Sequence, residues 1–565
     1  MKMMIQSIIG SVRPWRVLVL TAIIATAFAM RLRGLDFGLP ALLDPDEPIF
    51  VLIALKLLKE HTLNPGWFGH PGTTTIYSLA LVEAGIVLVG TLTGRFPDTN
   101  AFAKALFHDP AVAFLPGRVV MLISGLIVIL LAYQLARQLF DTRVALLTAA
   151  LLAINPIHIR YSQIIRTDMQ STIFILLALL AAMRIVARGS LRAYLIAGMW
   201  VGIACATKWP AGTVAAGVAG AALLRIRLYP SEYRLALRRL GCCALMAVAS
   251  CVIVSPYLVL DFATVISNLQ GEGRAVHVGA TGNGLLANMG WYLGNPLTNA
   301  LGIGGLALAA AGLVAGARRQ PIFGYVVGSA IGVFFVSITI QNLIWERWVV
   351  PLLPLLTIAL AYATVALVDK VRKHFPLFKL PAAIAITLLV AVPPLRVANA
   401  QAVERAVDTR RLATAWAMQH IPPGNTVAIE YLAFDALSAP WRFLYPGGNR
   451  GCFDPRTFVT RQITVSTVGS WHSSRPVVDF ADIEPNRTAS CRADYLIFAN
   501  YDRYVAESER FPTEIANYRR IAAGGHEIAV FAPRPGSVGG PIVRIIRLPT
   551  CPAQTMRSGE PRCHS

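Results

Sequence analysis

Between residues 15 and 400 the chain alternates long apolar runs with short polar gaps, and many runs approach the ~20 residues a helix needs to cross a bilayer. The segments 15–31, 117–137, 144–161, 169–185, 193–208, 210–224, 241–259, 299–316, 321–341, 348–369 and 380–399 are predicted spans. One further run, "TTTIYSLALVEAGIVLVGTLTG" (73–94), is long enough to cross but carries Glu83 near its middle. The gaps decide how it is read. Arg137 and Arg143 flank one gap, Arg184, Arg188 and Arg192 a second, and Arg225, Arg227, Arg234, Arg238 and Arg239 a third. Arg318 and Arg319 mark a fourth, and Lys370, Arg372 and Lys373 a fifth. These basic gaps fall at every second connection, and basic loops face the cytoplasm. If 73–94 does not fully cross, the N-terminus and all five gaps share that side, and about eleven spans leave the C-terminus outside. The run 73–94 is therefore expected along, or partly within, the outer interface. Residues 32–116 then form one long outer connection. Within it "EPIFVLIALKLLKEH" (47–61) is too short to span and suits a helix lying in the interface.

After about residue 400 the pattern changes: polar and charged residues rise and prolines punctuate short segments. "TRRLATAWAMQHIPPGNTVAIEYL" (409–432) reads as helix, Pro-Gly turn and strand. "ADYLIFAN", "HEIAVFAP" and "PIVRIIRL" read as strands, with a helix near 511–522 between two of them. That alternation predicts a small α/β domain. The fold class is a polytopic α-helical membrane protein with a smaller C-terminal extracytoplasmic α/β domain, divided as 1–400 and 401–565.

Composition agrees. Of 565 residues 55% are hydrophobic and only 14% charged, against ~25% charged in ordinary soluble domains. The formal net charge of +21 does not point to nucleic acid, because most Arg and Lys of the first 400 residues sit in short gaps between apolar runs and no nucleic-acid motif is present. Residues 1–30 also admit a signal-peptide reading, with Lys2, Arg13 and Arg16 before the apolar stretch. An uncut first span is expected instead, because it would hold the following acidic stretch beside the membrane.

That stretch is "ALLDPDEPIFVLIALKLLKEH" (41–61), with Asp44, Asp46 and Glu47 just after the first span. In this topology all three carboxylates lie in water at the outer surface, sparing the cost of at least ~2.5–3.5 kcal/mol for a charge in the bilayer centre. A second acidic site, "INPIHIRYSQIIRTDMQST" (154–172), brings Arg166 and Asp168 to the same face. So do Lys208 in "ATKWP", Glu272, Arg274 and His277 in "NLQGEGRAVHVGATGNG", and Glu346 and Arg347 in "QNLIWERW". Carboxylates can accept a proton from an attacking hydroxyl, and Arg or Lys can hold a phosphate. The combination suggests a transferase acting on a lipid-linked phosphate. Each feature has a plainer reading: a solvated loop shaped by Pro45 and Pro48, an Asp168–Arg166 structural ion pair, or Lys208 and Arg347 as snorkelling anchors. His70 and His277 read as loop histidines, since no H-E-x-x-H or paired C-x-x-C suggests zinc.

At these residues the chain resembles the GT-C superfamily of polyprenyl-phosphate-dependent glycosyltransferases, nearest to bacterial relatives of protein O-mannosyltransferases and of lipid A aminoarabinose transferases. The matching pieces, in order, are "DPDEPIFVLIALKLL", "FGHPGTTTIYSLA", the stretch from Leu115 to Gln170, "GIACATKWPAG" and "ERWVVPLLPLL". A looser likeness continues in "ATAWAMQHIPPGNTVAIE" and "YDRYVAESERFPTEIANYRRI". The resemblance implies a GT-C-like membrane module whose first outer loop carries an Asp-Glu pair, with Asp46 as general base and Asp168 at the second acidic position. It implies Arg347 as a contact to donor phosphate. Lys208, His70, Arg166 and Arg274 join it as candidate donor-phosphate or substrate contacts, and Glu47 joins Asp46 and Asp168 in the catalytic set. Relatives often read His-Pro-Pro or Lys-Pro-Pro where this chain reads His-Pro-Gly at 70–72. The implied activity is inverting transfer of a sugar, hexose or pentose, from a polyprenyl-phosphate donor to a hydroxyl of an acceptor lipid, glycan or protein at the periplasmic face of a bacterial inner membrane. A divalent cation is a possible cofactor, held by the carboxylates.

Of the eight cysteines, Cys205, Cys242, Cys243 and Cys251 fall in or beside spans, and Cys452, Cys491, Cys551 and Cys563 in the tail. An even set in an extracytoplasmic domain is compatible with disulfides. Four cysteines allow three connectivities, of which Cys452–Cys491 with Cys551–Cys563 is favoured over the alternatives, free thiols included. Two other function classes compete. A transporter or lipid flippase would show polar residues at mid-span and internal repeats, and neither is evident. A non-catalytic assembly subunit would have no need of both Asp46 and Asp168.

Overall fold

The structure, a computed structural model, describes residues 14–375, 379–430, 439–454 and 479–549. The apolar part folds as α1 (Pro14–Leu32), α2 (Glu47–Glu60), α3 (Thr73–Leu92), α4 (Ala111–Leu139), α5 (Thr142–Ala153), α6 (Pro156–Tyr161), α7 (Asp168–Arg188) and α8 (Leu191–Thr207). It continues as α9 (Ala215–Leu228), α10 (Tyr233–Val254), α11 (Phe262–Glu272), a pair α12 (Leu285–Leu301) and α13 (Ile303–Arg319) bent by 103°, α14 (Phe323–Thr339), α15 (Leu352–His374) and α16 (Lys379–Ala406). Among the described residues eight helices are long and apolar enough to cross a membrane, nine if the bent pair is one span. The shorter apolar helices α5, α8 and α14 accompany them. The chain is a multi-pass membrane protein.

Two sequence expectations are refined. The run expected in the interface, α3, is one of the eight, and its 20 residues rise about 30 Å. Its Glu83 is wholly buried against protein, so the charge that made the run ambiguous does not face lipid. The run 144–161, expected as one span, breaks at Asn155. There the Asn155 side chain accepts from His158 N at 3.0 Å and Pro156 takes the first helical position, a start signal strong enough to interrupt the helix. Elsewhere close packing is written in small residues. A Cβ on Gly198 or Gly202 of α8 would stand 2.2 Å from Cys243 O or 2.1 Å from Ala247 O of α10, so this i, i+4 glycine pair lets the two helices touch through their backbones.

The C-terminal part carries α17 (Thr409–His420) and a six-stranded sheet of β1 (Thr426–Ile429), β2 (Arg442–Pro446), β3 (Cys452–Phe453), β4 (Tyr495–Phe498), β5 (His526–Phe531) and β6 (Val543–Arg547). The strand order is β3-β2-β1-β4-β6-β5, parallel where β1 meets β2 and β4, and antiparallel elsewhere. Two helices, α18 (Tyr501–Ala506) and α19 (Pro512–Ile521), follow β4. Strands β2 and β3 are absent from the sequence reading. Cys452 and Cys491 are disulfide-bonded, with Cα atoms 4.8 Å apart; Cys551 and Cys563, like Lys2 and Arg13, lie outside the described residues. The sheet domain grips the bundle at two loops. Arg410 donates to Leu43 O at 3.0 Å, one residue before the acidic loop. Arg503 donates to Val278 O at 2.9 Å, Glu507 accepts from Gly279 N at 2.5 Å, and Arg510 bonds Asn283.

Candidate active site between the acidic loop and the Asp168 turn

The acidic loop enters α2 with Asp46 at the position preceding the helix, where Asp ordinarily caps the free backbone N–H groups. Its carboxylate makes no capping bond. It turns instead to Arg166, which binds Asp46 through Nη1 and Asp44 through Nη2, at 3.0 and 3.2 Å from the two Asp44 oxygens. Arg347 Nη1 approaches the same Asp46 carboxylate at 3.7 Å. That is ion-pair range but beyond a hydrogen bond. The Arg347 guanidinium lies 4.5 Å from the Trp345 ring centre, and Trp345 in turn meets the His277 ring at 4.9 Å. Burial alone would raise the Asp46 carboxyl, but Arg166, Arg347 and the hydrogen bond from Arg166 outweigh it and hold the group at about 2.

Asp168 opens α7 and takes Lys208 as its partner, Nζ to Oδ1 at 2.5 Å, both side chains nearly inaccessible to solvent. The structural alternative of an Asp168–Arg166 pair is not what forms. The two residues stand two apart at a helix start and point to different neighbours. Lys208 is buried and directed inward, not a snorkelling anchor. His70 lies in the field of both sites, pushed down to about 3 by burial and then by Lys208 and Arg347, against the opposing pull of Asp46 and Asp168. It is a neutral imidazole with one donor and one acceptor nitrogen. Glu272, at the end of α11, leans over Gly69, where a Cβ would come within 2.8 Å of its Oε1. Glu272 also feels Arg274, Arg347 and Asp46. The structure thus brings Asp44, Asp46, Asp168, Arg166, Lys208, His70 and Arg347 into one cluster, with Arg274 and Glu272 at its edge.

Glu47 departs from expectation. It is not in water but fully buried, its two oxygens taken by Arg118 Nε at 2.9 Å and Nη2 at 2.6 Å and by Ile165 N at 3.0 Å. Arg118 spends Nη1 on Leu35 O and Phe37 O, both at 2.8 Å. Both oxygens of Glu47 are engaged internally, so Glu47 fastens the acidic loop to α4 and to the 165 turn. Sequence reasoning missed Arg118. The signal was there: an arginine set within an apolar stretch, away from the helix's basic last turn, needs a buried partner. It also missed Trp345, Arg160 paired with Glu346 at 3.0 Å, and the bonds of Gln170 to Thr75 and Ser78.

Among the described residues no three His, Cys, Asp or Glu side chains gather as a metal-binding group, and Asp44, Asp46 and Asp168 each face a resident guanidinium or ammonium.

Residues 100–259, which hold Arg118, Arg166, Asp168 and Lys208, match the family described as dolichyl-phosphate-mannose-protein mannosyltransferase. A search among curated proteins gives no match to this sequence. Among solved structures the chain is similar to ArnT from Cupriavidus metallidurans bound to undecaprenyl phosphate, at 14% identity and a TM-score of 0.51 over 94% of this chain and 97% of that one. It also aligns with the oligosaccharyltransferase AglB of Archaeoglobus fulgidus, in complex with an inhibitory peptide and a dolichol-phosphate, at 14% identity and a TM-score of 0.47 over 91% and 73%. With its helical bundle, its C-terminal sheet domain and the likeness to ArnT, the chain is a membrane protein of the GT-C fold, and its residues 100–259 match the dolichyl-phosphate-mannose-protein mannosyltransferase family.

Proposed function

We propose that the protein is an inverting glycosyltransferase that moves a sugar from a polyprenyl-phosphate donor to an acceptor hydroxyl, on the periplasmic side of a bacterial inner membrane. The observation that carries this reading is the unequal company of Asp46. Arg166 is bonded to it directly, whereas Arg347 hangs 3.7 Å away and makes no hydrogen bond among the described residues. A guanidinium with idle donors beside an ionised carboxylate suits a lipid phosphate on one side and a hydroxyl on the other. The undecaprenyl phosphate bound to the similar ArnT supports that class of donor.

In the proposed step the acceptor oxygen attacks the anomeric carbon, forming the new C–O bond as the bond from that carbon to the phosphate oxygen breaks. The hydroxyl proton passes to Asp46, and the polyprenyl phosphate leaves with the bonding electrons. Arg347, with Lys208, balances the charge that builds on the departing phosphate. A carboxyl held at about 2 is a feeble base, so the geometry supplies a further condition. When donor phosphate draws Arg347 toward itself, Asp46 loses part of the positive field that depresses it and becomes basic only with donor in place. Asp168, anchored by Lys208, orients the acceptor.

Purified protein given a panel of synthetic polyprenyl-phosphate sugars should release free polyprenyl phosphate and form a product of inverted anomeric configuration. Intact donor throughout the panel, with acceptor lipids, glycans and peptides all present, would overturn the reading.

A further inference from the structure

α1, which leads into the acidic loop, and α16, which leads into the sheet domain, do not close fully against each other. Between them lies a cavity of about 290 Å³. Its apolar walls are Ala29 and Met30 of α1 and Leu395, Ala398 and Ala402 of α16, and its polar end carries Arg33 and Asn399, joined by a 3.2 Å hydrogen bond. Leu395, Ala398 and Ala402 form one face of α16, and Arg405 continues that face by one turn.

Arg405 is the odd member of its neighbourhood. Its Nε and Nη1 are shielded from solvent and find no acceptor among the described residues, and the nearby Gln401 Oε1 finds no donor. The charges around it are already committed: Arg118 to Glu47, Arg160 to Glu346, and Glu404 to the backbone N–H of Gly536. Phe37 offers only the edge of a cation–π contact, 5.9 Å from the guanidinium carbon. Two shielded guanidinium nitrogens without an acceptor are costly even where the rest of the side chain is half-buried. A bound anion would remove that cost, and a phosphate matches the guanidinium fork. Earlier along α16, Ile384, Leu388 and Leu389 are exposed as lipid-facing residues are, so a ligand reaching the cavity from the bilayer meets hydrocarbon first and arginine last.

We infer that this cavity binds a phosphorylated membrane lipid, with the phosphate between Arg33 and Arg405 and the first part of its chain against Ala29, Met30, Leu395 and Ala398. None of these residues belongs to the cluster around Asp46, so the inference stands independently of the transferase reading.

The test offers delipidated protein in detergent dioleoyl phosphatidic acid, dioleoyl phosphatidylcholine or inorganic phosphate, and counts retained lipid by native mass spectrometry. The wild type should retain phosphatidic acid in preference to phosphatidylcholine. Arg405→Gln, which removes the charge, and Ala402→Trp, which fills the cavity and keeps the charge, should each lower that retention by roughly tenfold. Arg396→Gln, exposed on another face of α16, should leave it unchanged. Should Arg405→Gln fail to fold, Ala402→Trp carries the test by itself. Wild-type retention by folded Arg405→Gln and Ala402→Trp overturns the proposal. So does an equal loss in Arg396→Gln, which would mark diffuse surface charge, or full displacement by equimolar inorganic phosphate, which would mark a bare anion site.

Discussion

Asp46 and Glu47 are neighbours in the chain and opposites in the structure. Glu47 is sealed in a pair with Arg118 in which the carboxylate and the guanidinium fork are matched bond for bond. Asp46 forgoes the cap its position invites, shares Arg166 with Asp44, and leaves Arg347 within sight but unbonded. Completed hydrogen bonding marks a carboxylate that holds a fold together; in the proposed reading, incomplete bonding beside the unbonded Arg347 marks one kept ready for a ligand. The two fates follow from geometry. A helix start sends successive side chains about 100° apart, so one residue turns to the bundle and the next to the cleft.

The sharpest way to break the contrast is to neutralise each acid in turn. Asp46→Asn should lower transfer by roughly 10³-fold or more, within the range that a general base supplies, while the melting temperature stays near wild type. Near-normal release of lipid phosphate by that variant would remove Asp46 from its role. Glu47→Gln should do the reverse in kind. It leaves Arg118 buried without its counter-charge, at a cost of about 3–5 kcal/mol, read as a steep drop in melting temperature in detergent. Glu47→Gln combined with Arg118→Met should recover much of that stability, because removing both partners leaves no orphan charge. If the double variant is no better than the single one, the pair is not what fastens the loop.

Arg347→Ala sharpens the same line on the cationic side. Arg347 gives up no hydrogen bond on truncation, so folding should be unaffected. The turnover should fall by roughly 10²–10³-fold, the scale of one lost electrostatic stabiliser. An equal loss of melting temperature would recast Arg347 as structural.

How much of this was written in the chain can be judged from the same residues. The apolar runs foretold a bundle of long apolar helices, because a bilayer constrains length and composition strongly. That acids and bases would meet was also legible, from their shared placement in the connections beside the apolar runs. Partnership was not. Glu47 finds Arg118 71 residues away, and Asp168 passes over Arg166, two residues before it, for Lys208, 40 residues on. Sequence proximity suggested a pairing that side-chain direction at the head of α7 forbids. Arg118, the arginine in the apolar stretch of α4 away from its basic last turn, was the one cue that distinguished the buried acid from the available one.

The smallest expected effect belongs to His70, which stands between the two acidic sites, and its sign can be worked out. In the unfolded chain the imidazole takes a proton near its ordinary 6.5; in the folded site, under burial and then Lys208 and Arg347, it does so only near 3. Between those values the unfolded state binds more protons, so stability is complete above about 6.5 and declines as pH falls from there toward 3. Asp46 contributes nothing to that slope above about pH 4: its folded value of about 2 lies below the ordinary 3.8, so the stability it adds is present above the ordinary value and lost only as pH falls through the folded one. His70→Gln keeps a neutral hydrogen-bonding side chain and removes the titration. Its melting temperature should therefore fall less than that of wild type between pH 7 and pH 5. Parallel curves for the two proteins would mean that His70 is protonated as readily in the site as in water, and that the cations around it are farther from its ring than the cluster requires.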